Sequence, residues 1–443
     1  MSAAITDRVE KRILARPEHP ISRRDISSQA LKVLYRLHRS GYVALLVGGS
    51  VRDLMLGRVP KDFDVATNAR PGEIRRLFSN SRTIGRRFRL VHIFFKDEIV
   101  EVATFRASPE APEGPDEWEE AAEDAAEDAA ESIEVAPPAG PAEVVYGTPV
   151  EDAHRRDFTI NALFYDISDF SVIDYVGGID DLEARRIRSI GDPPVRFRED
   201  PVRMMRALEY SVRLGFEIES GTAEAIGALA GIITEASRAR LTYELLESLR
   251  SGCGEGICTA WRRAGIYERA FPNLPPPGRQ VRRCLAALDR RIAAGERLPD
   301  PTVLGAIYLP AAVQLLQRFG GDGRRFNRPA LLDALRELLA PGAEMHIPKG
   351  SLHLIHQGMF TLAKLQVPPE RGRQVLKLSR QEYFSTAWAL LSIAVETGLM
   401  PPEPHAAWSS ALGRVQHGQT LEEGDGEKKK RRPRRRRRRR KRS

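Results

Sequence analysis

Five apolar residues, Val43-Ala44-Leu45-Leu46-Val47, run directly into Gly48-Gly49-Ser50, and about a dozen residues later the chain reads Asp62-Phe63-Asp64. A short apolar run ending in glycine reads as a buried strand that turns sharply, and Val51–Leu56 then reads as a helix. Strand, glycine turn and helix together suit phosphate, because the first amides of a helix point at an anion. A second strand, expected over Asp62–Ala66, repeats every two residues and sets Asp62 and Asp64 on one face with Phe63 on the other. Two such carboxylates can share Mg²⁺ with substrate phosphates, and a pair of ions ~3.5–4 Å apart stabilises both the attacking and the leaving oxygen of a phosphoryl transfer.

The surrounding pattern supplies the rest of the layer. Ser27 or Ser28 can cap a helix whose Leu31, Leu34, Tyr35 and Leu37 share one face, with Gly41 as its stop. Pro71 starts another helix, and Leu90–Phe95 and Ile99–Phe105 read as strands. Glu101, between Val100 and Val102, points away from its apolar neighbours and can join the aspartates; the alternative is a surface residue on an edge strand. Arg52 adds a cation beside the glycine turn, with a structural ion pair to Asp53 as its alternative. From Asp200-Pro201 to about Leu412 the period becomes helical. The expected fold is α+β: a mixed sheet with helices, followed by all-α regions.

At 443 residues the chain has room for two to four domains of roughly 100–200 residues each. No apolar run approaches the ~18 residues of a membrane span. The opening MSAAITDRVEKR lacks the order of a secretory signal, and three cysteines (Cys253, Cys258, Cys284) form neither an even disulfide set nor a CxxC pair. A cytoplasmic location is expected, with no membrane partner. The net charge of +9 conceals a segregation: Lys428–Ser443 holds 14 basic residues and no acid, whereas Glu110–Glu143 holds 13 acids and no base. The basic end, represented by Lys428, Arg434 and Arg438, suits a polyanionic partner through phosphate neutralisation and counterion release. The acidic stretch carries too little apolar surface to order itself.

LVGGSVRDLMLG followed by KDFDVAT resembles the head-domain signature of the class II tRNA nucleotidyltransferase and bacterial poly(A) polymerase family. In the same order follow His154–Asn161, similar to the family's ribose-recognition motif, and Glu199-Asp200-Pro201-Val202-Arg203, similar to its base-recognition motif. Arg240 to Glu244 resembles a helix-stabilising Arg and Glu, and the resemblance covers roughly residues 27–260. The Walker lysine pattern is absent, which disfavours a P-loop ATPase.

The resemblance implies a nucleotidyltransferase head over 26–165 with a disordered acidic insert at 108–143, after an extension over 1–25. It implies a neck over 166–260 that binds the base and RNA, a helical RNA-binding body and tail over 261–416, and a disordered polybasic end over 417–443. Asp62 and Asp64 would hold two Mg²⁺ ions, with Mn²⁺ as the alternative, and Glu101 or Asp157 as supporting carboxylate. Gly48, Gly49, Ser50, Arg52 and Asp53 would surround the triphosphate, and Arg156, Asp157 and Asn161 the ribose. Asp200 accepts and Arg203 donates, which matches adenine or cytosine and leaves the choice between them open. The bland alternative makes Asp200 a helix cap and Arg203 a surface residue.

Arg206 lies one turn beyond Arg203, within reach of the same anion. Glu209 departs from the family, which commonly has arginine there; an acid facing the pocket would repel a triphosphate unless Arg213 or a neighbour compensates. Ile84-Gly85-Arg86-Arg87-Phe88-Arg89-Leu90-Val91-His92 looks like the segment of the poly(A)-adding branch, with Arg86 and Arg87 as RNA contacts. The expected activity is addition of AMP from ATP to RNA 3′ ends, whether mRNA, small RNA or tRNA. RNA-decay or ribosome-associated proteins are the further partners considered. The alternatives are CCA or A addition to tRNA, and an RNA-binding protein whose catalytic site has decayed.

Overall fold

The computed structural model describes residues 11–85, 90–106, 146–319, 327–340, 342 and 345–416. Among these, eight strands form one sheet: β1 (Arg12–Leu14), β2 (Ala44–Val47), β3 (Asp64–Thr67), β4 (Ser81–Ile84), β5 (Leu90–Phe94), β6 (Ile99–Thr104), β7 (Leu163–Asp166) and β8 (Val172–Asp174). Their spatial order is β1-β8-β7-β2-β3-β6-β5-β4, with β3 and β6 parallel and the other neighbours antiparallel. Alternation along the strands builds two apolar layers. Leu46, Val65, Val91 and Val102 face one side, where they pack with Leu34 of α1 (Ser28–Arg39) and Ile74 of α3 (Pro71–Leu77). Leu45, Val47, Ala66 and Phe164 face the other.

Local chemistry explains the helix boundaries. The Ser27 hydroxyl accepts the Ala30 amide at 3.0 Å and starts α1. Between β2 and β3 lies α2 (Gly49–Met55); beyond the acidic stretch come α4 (Pro149–Arg155) and α5 (Gly178–Glu183). Thr148 opens α4 with a capping box closed by Glu151. A short parallel pair, β9 (Arg186–Ile187) and β10 (Glu217–Ile218), leads into the helical half. There α6 (Pro193–Glu199), α7 (Val202–Leu214), α8 (Ser220–Leu229) and α9 (Arg238–Arg250) come first. Beyond them, helices 279–293, 349–365 and 384–396 surround the buried helix Asp300–Phe319. Among the described residues no helix is long and apolar enough to cross a membrane.

Three expectations change. The strand bearing the aspartates begins at Asp64 and not Asp62, because its partner β2 ends at Val47, the residue paired with Asp64. Gly48 then turns away at φ +72°, so Asp62 has no ladder partner. Residues 12–14 are not outside the head: they pair with β8 and form one edge of the sheet. Likewise the boundary expected at 165 falls inside β7, which pairs with β8, so the sheet runs through 174. The acidic insert at 108–143, Arg86 and Arg87, and the end that carries Lys428, Arg434 and Arg438 lie outside the described residues.

Candidate active site between sheet and neck

The glycine turn opens the site. Ser50 Oγ donates to Val47 O at 2.8 Å and locks the turn, while Gly48 holds a backbone conformation open to glycine (φ +72°, ψ −141°). A Cβ at Gly48 would stand 3.3 Å from Arg156 Nη1 and 4.0 Å from Asp64 Oδ2. The missing side chain therefore leaves free the ground between a guanidinium and a carboxylate.

Strand register gathers the acids. Val65 pairs with Val102 in the parallel ladder, which places Asp64 beside Glu101 on one face. His92 lies opposite Glu101, with Nε2 and Oε2 3.4 Å apart. Burial, then Glu101 and Asp62, push the Asp64 carboxyl up to about 7, against the opposite pull of Arg156 and His92. Asp62 is raised as well: burial acts first, Lys61 opposes it, and Glu247 and Glu101 add to it. It stands on the loop before β3, 3.9 Å from Lys61 Nζ, which in turn reaches Glu247 of α9 at 2.6 Å. Among the described residues no three acid, histidine or cysteine side chains are closed into a cage. The donor set nevertheless fits divalent magnesium or manganese: hard oxygens, whose raised carboxyls show more negative charge than their neighbours neutralise, beside the glycine turn.

The 152–161 segment sets the next wall. Buried Asp152 pairs with Arg155 at 2.8 Å and Arg156 at 3.0 Å. Asn161 Oδ1 accepts from Arg52 Nη1 at 2.7 Å, and its Nδ2 donates to Asp157 Oδ1 at 3.2 Å. Burial opposes the charge of Asp157, but Arg206, 2.9 Å away, and hydrogen bonds from Asn161 and the Phe158 amide outweigh it and hold the carboxyl below its ordinary range. Arg52 also grips Asp53 through Nε at 2.9 Å and Nη2 at 2.8 Å, so the structural ion pair foreseen as its alternative is present.

Asp200 and Arg203 are both buried, which removes the surface alternative for Arg203. Asp200 Oδ1 accepts the Val202 amide at 3.2 Å, as a cap would, while Oδ2 meets Arg240 at 2.8 Å. Arg203 contacts Glu199 at 3.3 Å and Arg196 O at 3.2 Å. Arg206 is engaged from three sides: Asp157, the Tyr210 hydroxyl at 3.0 Å and Glu244 of α9 at 3.8 Å. Glu209 is buried, and Arg213 one turn later neutralises it at 2.7 Å. The departure at 209 thus carries its own compensation.

Sequence reading missed Asp152, Arg196 and Tyr210. Asp152 was legible in principle, since it sits four residues before Arg156 on a capped helix. Arg196 was not: it donates to Arg155 O at 2.6 Å and Arg156 O at 2.9 Å, contacts between segments 40 residues apart.

Residues 44–188 match the family described as Poly A polymerase head domain, and residues 215–276 that described as Probable RNA and SrmB-binding site of polymerase A. Poly(A) polymerase I of Salmonella typhimurium is 36% identical over 394 residues, covering 87% of this chain and 82% of its own. A CCA-adding enzyme of Bacillus pumilus is also 36% identical, over 248 residues, 56% of each chain. A solved tRNA-processing enzyme in an apo form has the same fold, with a TM-score of 0.56 at 22% identity over 90% of this chain and 97% of that one. Together with the glycine turn, the strand carboxylates and the two recognition segments, these likenesses establish that the chain belongs to the bacterial poly(A) polymerase and class II tRNA nucleotidyltransferase family and is a nucleotidyltransferase.

Proposed function

We propose that the enzyme extends RNA 3′ ends with AMP from ATP, without a template. The observation that carries this reading is the reach of the likeness. At equal identity, the match to poly(A) polymerase I continues through the helical half, whereas the match to the CCA-adding enzyme covers little more than half of the chain.

In this reading the RNA 3′-hydroxyl attacks the α-phosphate of ATP and pyrophosphate leaves. Asp64 and Asp62, supported by Glu101, would hold two Mg²⁺ or Mn²⁺ ions; when bound, these lower the pKa of the attacking hydroxyl and neutralise the leaving oxygen. The floor at Gly48 and Gly49 admits the triphosphate beside Arg156. Arg52 and Asp53 act from beneath, by fixing α2 and Asn161. Asp157 and Asn161 meet the ribose. Asp200 and Arg203 offer an acceptor and a donor to an edge that bears an exocyclic amine beside a ring nitrogen, found in adenine and cytosine and reversed in guanine and uracil. Substrates of this class, mRNA, small RNA or tRNA ends, are met in the cytoplasm, where RNA-decay or ribosome-associated proteins are the accompanying partners. Neutralisation of Glu209 by Arg213 weakens the case for a decayed site.

The test offers purified enzyme each of the four nucleoside triphosphates, with a tRNA lacking its end and with an unrelated RNA. AMP incorporation on both RNAs is expected. CMP incorporation confined to the tRNA would move the enzyme to the CCA-adding branch.

A further inference from the structure

Tyr210 belongs to no recognition motif, yet it touches both arginines that flank the ribose-facing pair. Its ring lies 5.2 Å from the Arg52 guanidinium and 5.8 Å from that of Arg206, and Phe158 packs edge-on at 5.7 Å. Its hydroxyl accepts from Arg206 Nη2. The contacts close on themselves: Arg52 to Asn161, Asn161 to Asp157, Asp157 to Arg206, Arg206 to Tyr210, and the tyrosine ring back to Arg52. Three separate segments, α2, the 157–161 turn and neck helix α7, are tied in this loop.

A closed loop fixes direction as well as position. The Asn161 amide has its oxygen committed to Arg52 and one hydrogen to Asp157, so it can turn only one defined donor toward a ligand. Without the ring, Arg52 loses a cation–π contact and Arg206 is released toward Glu244, 3.8 Å away. Asp157 and Asn161 then regain side-chain freedom.

We propose that Tyr210 is a positioning residue for sugar selection, holding the Asp157–Asn161 pair in the orientation that meets the ribose 2′-hydroxyl. This rests on the reading that Asp157 and Asn161 face the ribose. A site built to hydrogen-bond a hydroxyl penalises the analogue lacking it only while its polar atoms are held in place.

The experiment measures kcat/KM for ATP and for 2′-deoxy-ATP on one RNA primer, in the parent, Tyr210→Phe, Tyr210→Leu and Asn161→Ala enzymes, with folding checked by circular dichroism. Tyr210→Leu is expected to lower the ATP/dATP ratio by about tenfold, the worth of one well-placed hydrogen bond, through loss with ATP. Tyr210→Phe keeps the ring and lowers the ratio by about threefold; should the leucine variant fail to fold, this one carries the test. A purely structural role would depress both substrates equally and leave the ratio unmoved. An unchanged ratio in the tyrosine variants beside a lowered one in Asn161→Ala overturns the role of Tyr210 alone. An unchanged ratio in Asn161→Ala overturns the ribose reading itself.

Discussion

Asp64→Asn keeps the shape of the side chain and removes one of three charges crowded at Asp62, Asp64 and Glu101. In the metal-free protein the Asp64 carboxyl is displaced from its ordinary 3.8 to about 7. At about 1.4 kcal/mol per pK unit this corresponds to roughly 4 kcal/mol by which ionisation opposes folding, and water at the half-buried carboxylate screens this to about 2–4 kcal/mol. The folded pKa lies above the unfolded one, so the folded state holds the extra proton. The penalty is therefore absent below about pH 4, grows as pH rises, and is complete above about pH 7. In EDTA at about pH 8 the asparagine variant should be more stable than its parent by about 2–4 kcal/mol, and the gap should shrink to under half by about pH 5. Added Mg²⁺ should stabilise the parent more than the variant, while RNA extension by the variant falls by orders of magnitude. Urea unfolding followed by circular dichroism, at both pH values, with EDTA and with Mg²⁺, measures each quantity. A variant less stable than its parent in EDTA at about pH 8, or a gap indifferent to pH, would refute the argument that burial and the neighbouring carboxylates, only partly offset by Arg156 and His92, oppose the charge of Asp64.

Glu219 caps α8 by accepting the Gly221 and Thr222 amides at 3.0 and 2.8 Å; burial alone would raise its carboxyl, yet these bonds push it down to about 2. Glu219→Ala should cost about 1 kcal/mol at neutral pH, a difference present above the ordinary carboxylate range and lost as pH falls toward the folded pKa; urea midpoints against pH test this. Arg213→Ala strands the buried charge of Glu209 and should cost about 2 kcal/mol, most of it recovered in the Arg213→Ala, Glu209→Ala double variant; a cycle without coupling would mean the pair is not the compensation described. Removal of residues 428–443, with their 14 cations, should weaken RNA binding and flatten its dependence on salt, as followed by fluorescence anisotropy across a salt series.

Much of the site was legible because its signals are local. An apolar run followed by two glycines defines β2, its turn and α2 within a dozen residues, and the two-residue period of β6 turns Glu101 out from between Val100 and Val102 toward Asp64. The Glu209–Arg213 pair, one helical turn apart, was within reach of the same logic. What the chain's own order could not disclose is which charges are already taken. Arg52 faces Asn161 across 109 residues and Arg196 reaches the Arg155 and Arg156 carbonyls across 41 and 40, so both read as available until the fold closes. Asp62 leaves the strand because β2 ends opposite Asp64, and residues 12–14 become a sheet edge because β8 offers them a ladder. Periodicity along a chain dictates which face a side chain occupies; the partner that waits there, and hence whether a charge binds substrate or braces the protein, is set by segments that only folding brings together.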